Sequence, residues 1–146
     1  MITKLLAVCF MALALVGCAS VTMGDPKQDT ALKAFPAAKP GMAGVYIYRN
    51  ESFGAAMKLD VAMDGQPVGQ TAAKTYFYKD VAPGKHTIVS KGETTDTLEF
   101  NAVAGKLYFV WQEVKMGLMS ARTKLQLVGD DVGRKGVAES QLAASR

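Results

Sequence analysis

The chain has 146 residues, of which 49% are apolar and 21% are charged, and its formal net charge is +4. This length is typical of a single domain. Much of the apolar excess lies in residues 1–17, where Lys4 is the only charge, and the rest has an ordinary globular composition. These figures exclude a polytopic membrane protein and a disordered chain, and the two cysteines exclude a disulfide scaffold.

The N-terminus has the pattern of an export signal. An apolar run over residues 5–16 follows Lys4 and is too short to cross about 30 Å of hydrocarbon as a helix, so residues 1–17 are predicted to be a signal peptide. The run ends in Leu15-Val16-Gly17-Cys18, which resembles the lipobox of bacterial lipoproteins. The resemblance implies cleavage before Cys18 and attachment of acyl chains there, so that Cys18 anchors the chain to a membrane. The alternatives are an ordinary secretory signal and an uncleaved anchor.

The residues beside Cys18 refine the expected location. In Gram-negative lipoproteins an aspartate after the cysteine is typical of inner-membrane retention, so Ala19 and Ser20 imply an outer-membrane anchor and a domain facing the periplasm. Cys9 leaves with the signal peptide, so the mature chain is expected to have no free thiol, no disulfide and no cysteine metal site. Acidic and basic residues are interspersed, which predicts no nucleic-acid partner.

Residues 18–43 are predicted to be the lipidated N-terminus and a flexible tether. The segment is rich in Ala, Gly and Pro, it contains Pro26, Pro36 and Pro40, and no apolar periodicity is sustained. A short helix around residues 30–35 is the alternative at that point. On this interpretation the segment holds a folded domain away from the bilayer.

Residues 44–129 are predicted to form an antiparallel β-sandwich of the prealbumin or immunoglobulin type, an all-β fold. Short β-branched and aromatic segments alternate with Gly, Pro and Asp turn signals, and Asp64-Gly65 is typical of a hairpin turn. The run 107–111 is apolar at both parities, which predicts a central strand covered on both faces. The predicted strands are residues 45–49, 57–63, 67–71, 75–79, 85–91, 95–101, 107–115 and 124–128.

Residues 130–146 are predicted to be a C-terminal helix or a frayed tail. Asp130 and Asp131 are typical of a helix start, and the helix would run to about residue 142. Gly133 and Gly136 oppose it, because each glycine costs about 1 kcal/mol relative to alanine inside a helix.

Several of these segments together carry a family resemblance. The sequence over about residues 43–129 resembles the bacterial lipoproteins grouped as domain of unknown function 2846, DUF2846. A weaker resemblance, carried by the Asp-Gly and Pro-Gly-x-His turns, is to PEGA β-sandwich domains. Neither family implies a catalytic residue. The segments that carry the first resemblance are residues 45–49, 61–69, 76–78, 83–88 and 112–117.

A catalytic constellation is not apparent in the sequence. His86 is the only histidine, and a hydrolase would pair it with Ser52, Ser90 or Ser120, but no serine lies in a nucleophile-elbow motif. The predicted role of His86 is therefore to orient a turn or to pack against the sheet. The chain is predicted not to be an enzyme, with a hydrolase as the weakest alternative.

Metal and cofactor sites are likewise not predicted. One histidine without a free cysteine disfavours zinc, and Asp60 with Asp64 lacks the spacing of an EF-hand calcium loop. No glycine-rich segment has the sequence context of a phosphate-binding loop. We expect no cofactor.

The most distinctive stretch is residues 111–120, which contains the only Trp and then a polar and Met-rich segment. It predicts an interaction rim at one end of the sheet, with polar recognition groups and adaptable apolar contacts. The alternative is a core plug in which Glu113 pairs with an Arg or Lys. The residues of the predicted rim are Arg49, Trp111, Gln112, Glu113, Lys115, Met116, Leu118, Met119 and Arg122.

Two functions are therefore expected in order. The first is a lipid-anchored, non-enzymatic interaction or envelope-structural module with an envelope protein as partner. The second is a binding module for peptidoglycan, another glycan or a small ligand, which uses this rim or exposed tyrosines. Packing between strands is the alternative for those tyrosines, which are Tyr46, Tyr48, Tyr76 and Tyr78.

Overall fold

A computed structural model describes residues 20–146, so the predicted signal peptide and Cys18 lie outside the described residues. Strands predominate, with one short helix at each end of the described chain. The elements are α1 (Pro26–Leu32), β1 (Ala43–Arg49), β2 (Leu59–Met63), β3 (Gln66–Thr71), β4 (Thr75–Val81), β5 (Gly84–Lys91), β6 (Thr95–Ala102), β7 (Leu107–Met116), β8 (Ala121–Val128), α2 (Asp130–Ala138) and β9 (Gln141–Leu142).

The strands form two sheets that pack face to face. One sheet has the order β8-β7-β1-β4-β9 and the other has the order β3-β2-β5-β6. The prediction of an all-β sandwich is confirmed. It is not purely antiparallel, because β1 pairs with β7 and β4 pairs with β9 in parallel. The chain between β1 and β7 contains the whole second sheet, which allows β7 to return beside β1 in the same direction.

All eight predicted strands are present, with small changes at their ends. The second strand begins at Leu59 rather than residue 57, and β8 begins at Ala121 rather than residue 124. Asp64 and Gly65 both have positive φ values, 51° and 78°, as a tight two-residue hairpin turn requires. Strand β9 was not predicted, because two residues are too few to show a period.

The core lies on both sides of the larger sheet. Strand β1 is central and every one of its residues is buried. Strand β7 lies beside it and is covered on both faces, as predicted for residues 107–111: Val110 packs between the sheets, whereas Phe109 packs towards the helices. Alternation along the strand places these neighbours on opposite faces.

Helix α2 exists, and the glycines that argued against it explain its position. A Cβ atom on Gly133 would overlap the ring of Phe109, and one on Gly136 would overlap the ring of Tyr48. The two glycines therefore allow α2 to approach the sheet closely. The packing of Val137, which is fully buried in this layer, stabilises the helix despite its low intrinsic propensity.

The segment predicted as a flexible tether over residues 18–43 is folded where the structure describes it. Asp25 caps α1 and Pro26 occupies its first turn. The hydroxyl of Tyr76 donates to Asp29 Oδ1 at 2.7 Å, and Met23 forms a β-bridge with Ala143. Buried tyrosines thus give this Ala- and Pro-rich segment a docking surface, which local periodicity does not reveal.

The tyrosines predicted as a possible ledge belong to this same layer. Tyr46, Tyr48 and Tyr76 are buried and Tyr78 is partly buried, so the packing alternative holds for them. The hydroxyl of Tyr46 donates to the Leu32 carbonyl at 2.8 Å. None of the helices in the described part of the chain has the length and apolar character needed to cross a membrane.

Candidate functional site

The loops at one end of the sandwich gather most of the unusual surface features of the molecule. Strands β1 and β7 both end there, whereas β2 and β8 begin there. We call this region the loop end. It consists of residues 50–58, 72–74, 92–94 and 117–120.

An apolar groove of about 350 Å³ crosses the loop end between residues 53–57 and residues 115–121. Its side chains are large, apolar and exposed: Leu118 is 86% exposed, Met119 is 90% exposed, and Phe53 and Met116 are also exposed. Contiguous apolar side chains at a surface are typical of an interaction site, whereas single ones are not. Three of the predicted rim residues, Met116, Leu118 and Met119, therefore come together.

One wall of this groove is held by the carboxylate of Glu93. It accepts hydrogen bonds from the backbone N–H groups of Leu118 at 3.2 Å, Met119 at 3.1 Å and Ser120 at 3.0 Å. Arg122 lies 3.5 Å from the same carboxylate. The N–H donors of Ser120 and Met119 hold the pKa of Glu93 below its usual value. A charged side chain thus positions the hairpin that carries the most exposed apolar residues.

The opposite wall is held by Arg49, which is fully buried. Its guanidinium donates to the carbonyl oxygen of Gly54 at 2.7 Å, to that of Met57 at 2.8 Å and to that of Thr71 at 3.4 Å. Burial lowers the pKa of Arg49, and the nearby charge of Glu51 opposes this shift. The prediction that Arg49 lies on a recognition rim is wrong: its fork of donors is used to fix the backbone of the 50–58 loop.

Gln112 is also wrongly predicted as a rim residue, since it lies between the sheets. Its side-chain oxygen accepts from Thr71 Oγ1 at 2.6 Å, and its side-chain nitrogen donates to Ser90 Oγ at 2.6 Å. Ser90 is in turn hydrogen-bonded to Thr123 at 2.7 Å. This buried polar network satisfies its members and joins the two sheets just beneath the loop end.

Strand alternation separates the other predicted rim residues from the groove. Trp111 faces α2 and lines a shallow depression with Tyr48 and Val132. Glu113 accepts from Gln126 Nε2 at 2.6 Å and lies 3.5 Å from Lys115 Nζ. A polar residue with a Lys pair near the end of the sheet matches the alternative interpretation of Glu113, while Lys115 also lines the groove.

Glu51 is a buried acidic group at this end that the sequence did not indicate. Burial raises its pKa, and contacts with backbone N–H groups, with Trp111 and with the charge of Arg49 offset part of that effect. Its oxygens and the indole nitrogen of Trp111 are enclosed by protein atoms. Glu51 therefore supplies negative charge near the buried guanidinium rather than at the surface.

His86 occupies a structural position near the opposite end of the sandwich. One ring nitrogen lies 2.6 Å from Asp64 Oδ2 and the other lies 2.6 Å from the carbonyl oxygen of Ala82. Burial lowers the pKa of His86, but the bonds to Ala82 and Asp64 outweigh it and raise that pKa above its usual value. With both nitrogens engaged, the ring orients the turn.

The serines considered for a hydrolase do not join His86. Ser90 lies in the buried network described above, and Ser52 and Ser120 belong to the loop end. His86 pairs instead with Phe100 on the neighbouring strand. This geometry gives the hydrolase alternative no support.

The acidic residues considered for calcium have other partners. Asp60 accepts from Gln70 at 2.8 Å, and Asp64 accepts from the backbone of Thr87 at 2.9 Å. Across residues 20–146, no group of three or more His, Cys, Asp or Glu side chains is arranged to hold a metal ion.

Sequence reasoning missed the residues that build the groove from the other loops. Phe53 and Met57 lie in a segment read partly as a turn and partly as a strand, and the large apolar Phe53 beside Gly54 was the available indication. Glu93 gave no indication, because its role depends on a hairpin more than twenty residues away in sequence.

Comparison with known proteins places the chain in a family. Residues 39–124 match the family described as "Protein of unknown function (DUF2846)", which covers most of the sandwich. The chain is also 32% identical over 136 residues to an uncharacterized protein of Haemophilus influenzae, with 92% of this chain and 81% of that protein covered. These comparisons give no support to the likeness to PEGA domains. The chain belongs to the DUF2846 family.

Proposed function

We propose that this protein is a lipid-anchored, outer-membrane envelope protein that faces the periplasm and acts by non-covalent contact through its loop end. The anchor rests on the sequence Leu15-Val16-Gly17-Cys18, with Ala19 following the cysteine. The observation that carries the mode of action is the apolar groove, where Leu118 and Met119 are held almost fully exposed by Glu93.

The chemistry of the loop end supports contact rather than catalysis. Apolar side chains are displayed outward, whereas Arg49 and Glu93 are engaged in holding backbone groups. Ordering an exposed apolar hairpin is useful to a protein when another surface covers it, because burial of that apolar area then stabilises the complex. An envelope component is the partner expected from the proposed location.

The glycan-binding alternative loses its best residues. An aromatic platform for a sugar requires an exposed ring face, and the tyrosines considered for it are buried or partly buried beneath the helices. We therefore propose an interaction or envelope-structural role in preference to glycan binding.

Site-specific crosslinking in cells tests this role. A photo-reactive amino acid is placed at Met119 in the groove, and the matched control places it at Val103, an exposed apolar residue in the β6–β7 loop at the opposite end. We expect adducts with an envelope component, whether lipid, protein or cell wall, from position 119 and not from position 103. Equal adducts from both positions, or none from position 119, would contradict the proposed contact.

A further inference from the structure

We propose that the loop end rests on the surface of the bilayer that holds the anchor, with the apolar groove against anionic phospholipid. This inference deepens the proposed function and depends on acylation at Cys18. It differs from the picture of a tethered domain, because it places a defined face of the sandwich in contact with lipid.

The first step is the short reach between the anchor and the fold. Thr22 already accepts a hydrogen bond from the backbone of Ala144 at 2.9 Å, and Met23 is bridged to Ala143. Cys18 precedes Ser20 by two residues, and each residue extends a chain by at most about 3.6 Å, so Cys18 lies within about 7 Å of Ser20. Acyl chains on Cys18 therefore bring the bilayer close to Ser20.

The second step is the position of Ser20. It lines one cleft with Lys58 and Gln70, and a second cleft with Ala73 and Lys74. Lys58 and Lys74 belong to the loop end, and Lys58 follows Met57 of the apolar groove. The anchor consequently directs this end, rather than the opposite one, towards the membrane.

The third step is the charge of the loop end. Lys58, Lys74 and Lys91 are exposed there and take part in none of the ion pairs formed within residues 20–146. The carboxylate of Glu93 is engaged by backbone N–H groups, and that of Glu139 accepts from an asparagine side chain. Positive charge that is free to meet headgroups favours an anionic lipid surface.

The fourth step is the apolar surface itself. Phe53, Leu118 and Met119 project from the same end, where they can enter the boundary between headgroups and acyl chains. An acyl anchor combined with apolar and basic contacts holds a protein in a fixed orientation, which one flexible attachment point does not. A second protein copy or another protein offers no comparable match to both the anchor position and the free lysines.

Depth-sensitive fluorescence on the acylated full-length protein tests this orientation. The protein is reconstituted in vesicles of phosphatidylethanolamine and phosphatidylglycerol, and an environment-sensitive dye is attached at Leu118→Cys or, as the matched control, at Val103→Cys. We expect the dye at position 118 to be quenched by spin-labelled lipid and to be several-fold less accessible to iodide than the dye at position 103. Equal iodide access at the two positions would overturn the proposal.

A charge variant supplies a second readout on the same preparation. Lys58→Glu together with Lys74→Glu should increase iodide access at position 118, whereas Lys85→Glu at the opposite end should leave it unchanged. Equal effects of the two sets would overturn the role of the loop-end lysines. Dye labelling of the unsubstituted protein distinguishes the failures, because a reactive thiol at Cys18 means that acylation and the proposed function have failed. An acylated protein that crosslinks from Met119 only to another protein keeps the proposed function and overturns the membrane orientation.

Discussion

The guanidinium of Arg49 donates a hydrogen bond from Nη2 to the carbonyl oxygen of Gly54 at 2.7 Å, inside the protein and without solvent contact. A buried cation thereby fixes a loop that ends in an exposed apolar wall. Glu93 does the same for the facing hairpin through its bonds to Met119 and Ser120. The groove is thus a surface whose two walls are each set by a charged residue.

Replacing Arg49 tests the first of these supports. Arg49→Met removes three donors and leaves buried carbonyl groups unpaired, so we expect a loss of about 1–3 kcal/mol in the free energy of unfolding. Amide exchange near Gly54 and Met57 should increase more than exchange in β5. Chemical denaturation and hydrogen exchange measure the two effects, and an unchanged exchange pattern in residues 54–57 would show that Arg49 does not hold this loop.

Replacing Glu93 tests the second support. Glu93→Ala should accelerate amide exchange at Leu118, Met119 and Ser120 and leave the rest of the sandwich unaffected, because the carboxylate is exposed and bonds mainly to that hairpin. Since its pKa is lowered, the hydrogen-bonded state is favoured above the usual glutamate value and is lost as the pH falls through the folded pKa. Wild-type exchange at these amides should therefore rise in acid, and Glu99→Ala, on a neighbouring strand, serves as the control.

Alanine at either glycine of α2 should destabilise the fold although alanine is the better helix former. Gly133→Ala and Gly136→Ala place a Cβ against Phe109 and Tyr48 respectively, and such overpacking costs about 1–3 kcal/mol. Gly129→Ser is the matched control, because nothing lies within 4 Å of a Cβ there and the new hydroxyl is able to cap the helix. Thermal unfolding that shows a gain for alanine at 133 or 136 would contradict the close helix–sheet contact.

The pair formed by His86 and Asp64 predicts a definite dependence of stability on pH. The raised pKa of His86 means that its contribution is complete below the unfolded value of about 6.5 and is lost as the pH rises through the folded value. The lowered pKa of Asp64 means that its contribution is present above about 3.8 and is lost as the pH falls through the folded value. The pair therefore stabilises most between about pH 4 and pH 6.5.

His86→Asn should accordingly lower the free energy of unfolding most within that window and least near pH 9. Denaturation curves at a series of pH values give the difference between wild type and variant. Lys85→Gln, which breaks an exposed pair with Glu99 at 3.0 Å, is expected to show a small difference across the same range. A difference for His86→Asn that does not vary with pH would rule out a charged His86.

The strands of the fold could be predicted because their pattern is local. Alternation in residues such as Leu59, Val61 and Met63 reports which face is buried, and the Asp64-Gly65 turn reports where the chain reverses. The parallel pairing of β1 with β7 could not be predicted in this way, since it joins segments about sixty residues apart. The docking of α1 depends on buried tyrosines that belong to other elements.

The candidate site was predicted in part for the same physical reason. Met116, Leu118 and Met119 are neighbours in sequence, so their shared exposure on a hairpin could be anticipated. Arg49 and Gln112 were assigned to the surface because such polar residues are mostly exposed, whereas here carbonyl groups and hydroxyls satisfy them inside. The contribution of Phe53 and Glu93 depends on tertiary placement alone.

Replacement of the anchoring cysteine tests the central claim most directly. Cells that express the wild-type chain or Cys18→Ser are labelled with a radioactive fatty acid and then fractionated, and Ser20→Ala is the matched control beside the same site. We predict that the wild type and Ser20→Ala incorporate label and stay in the outer-membrane fraction. Cys18→Ser should incorporate none, and it should accumulate as an uncleaved precursor or leave that fraction. Normal processing of Cys18→Ser with unchanged membrane retention would contradict the account.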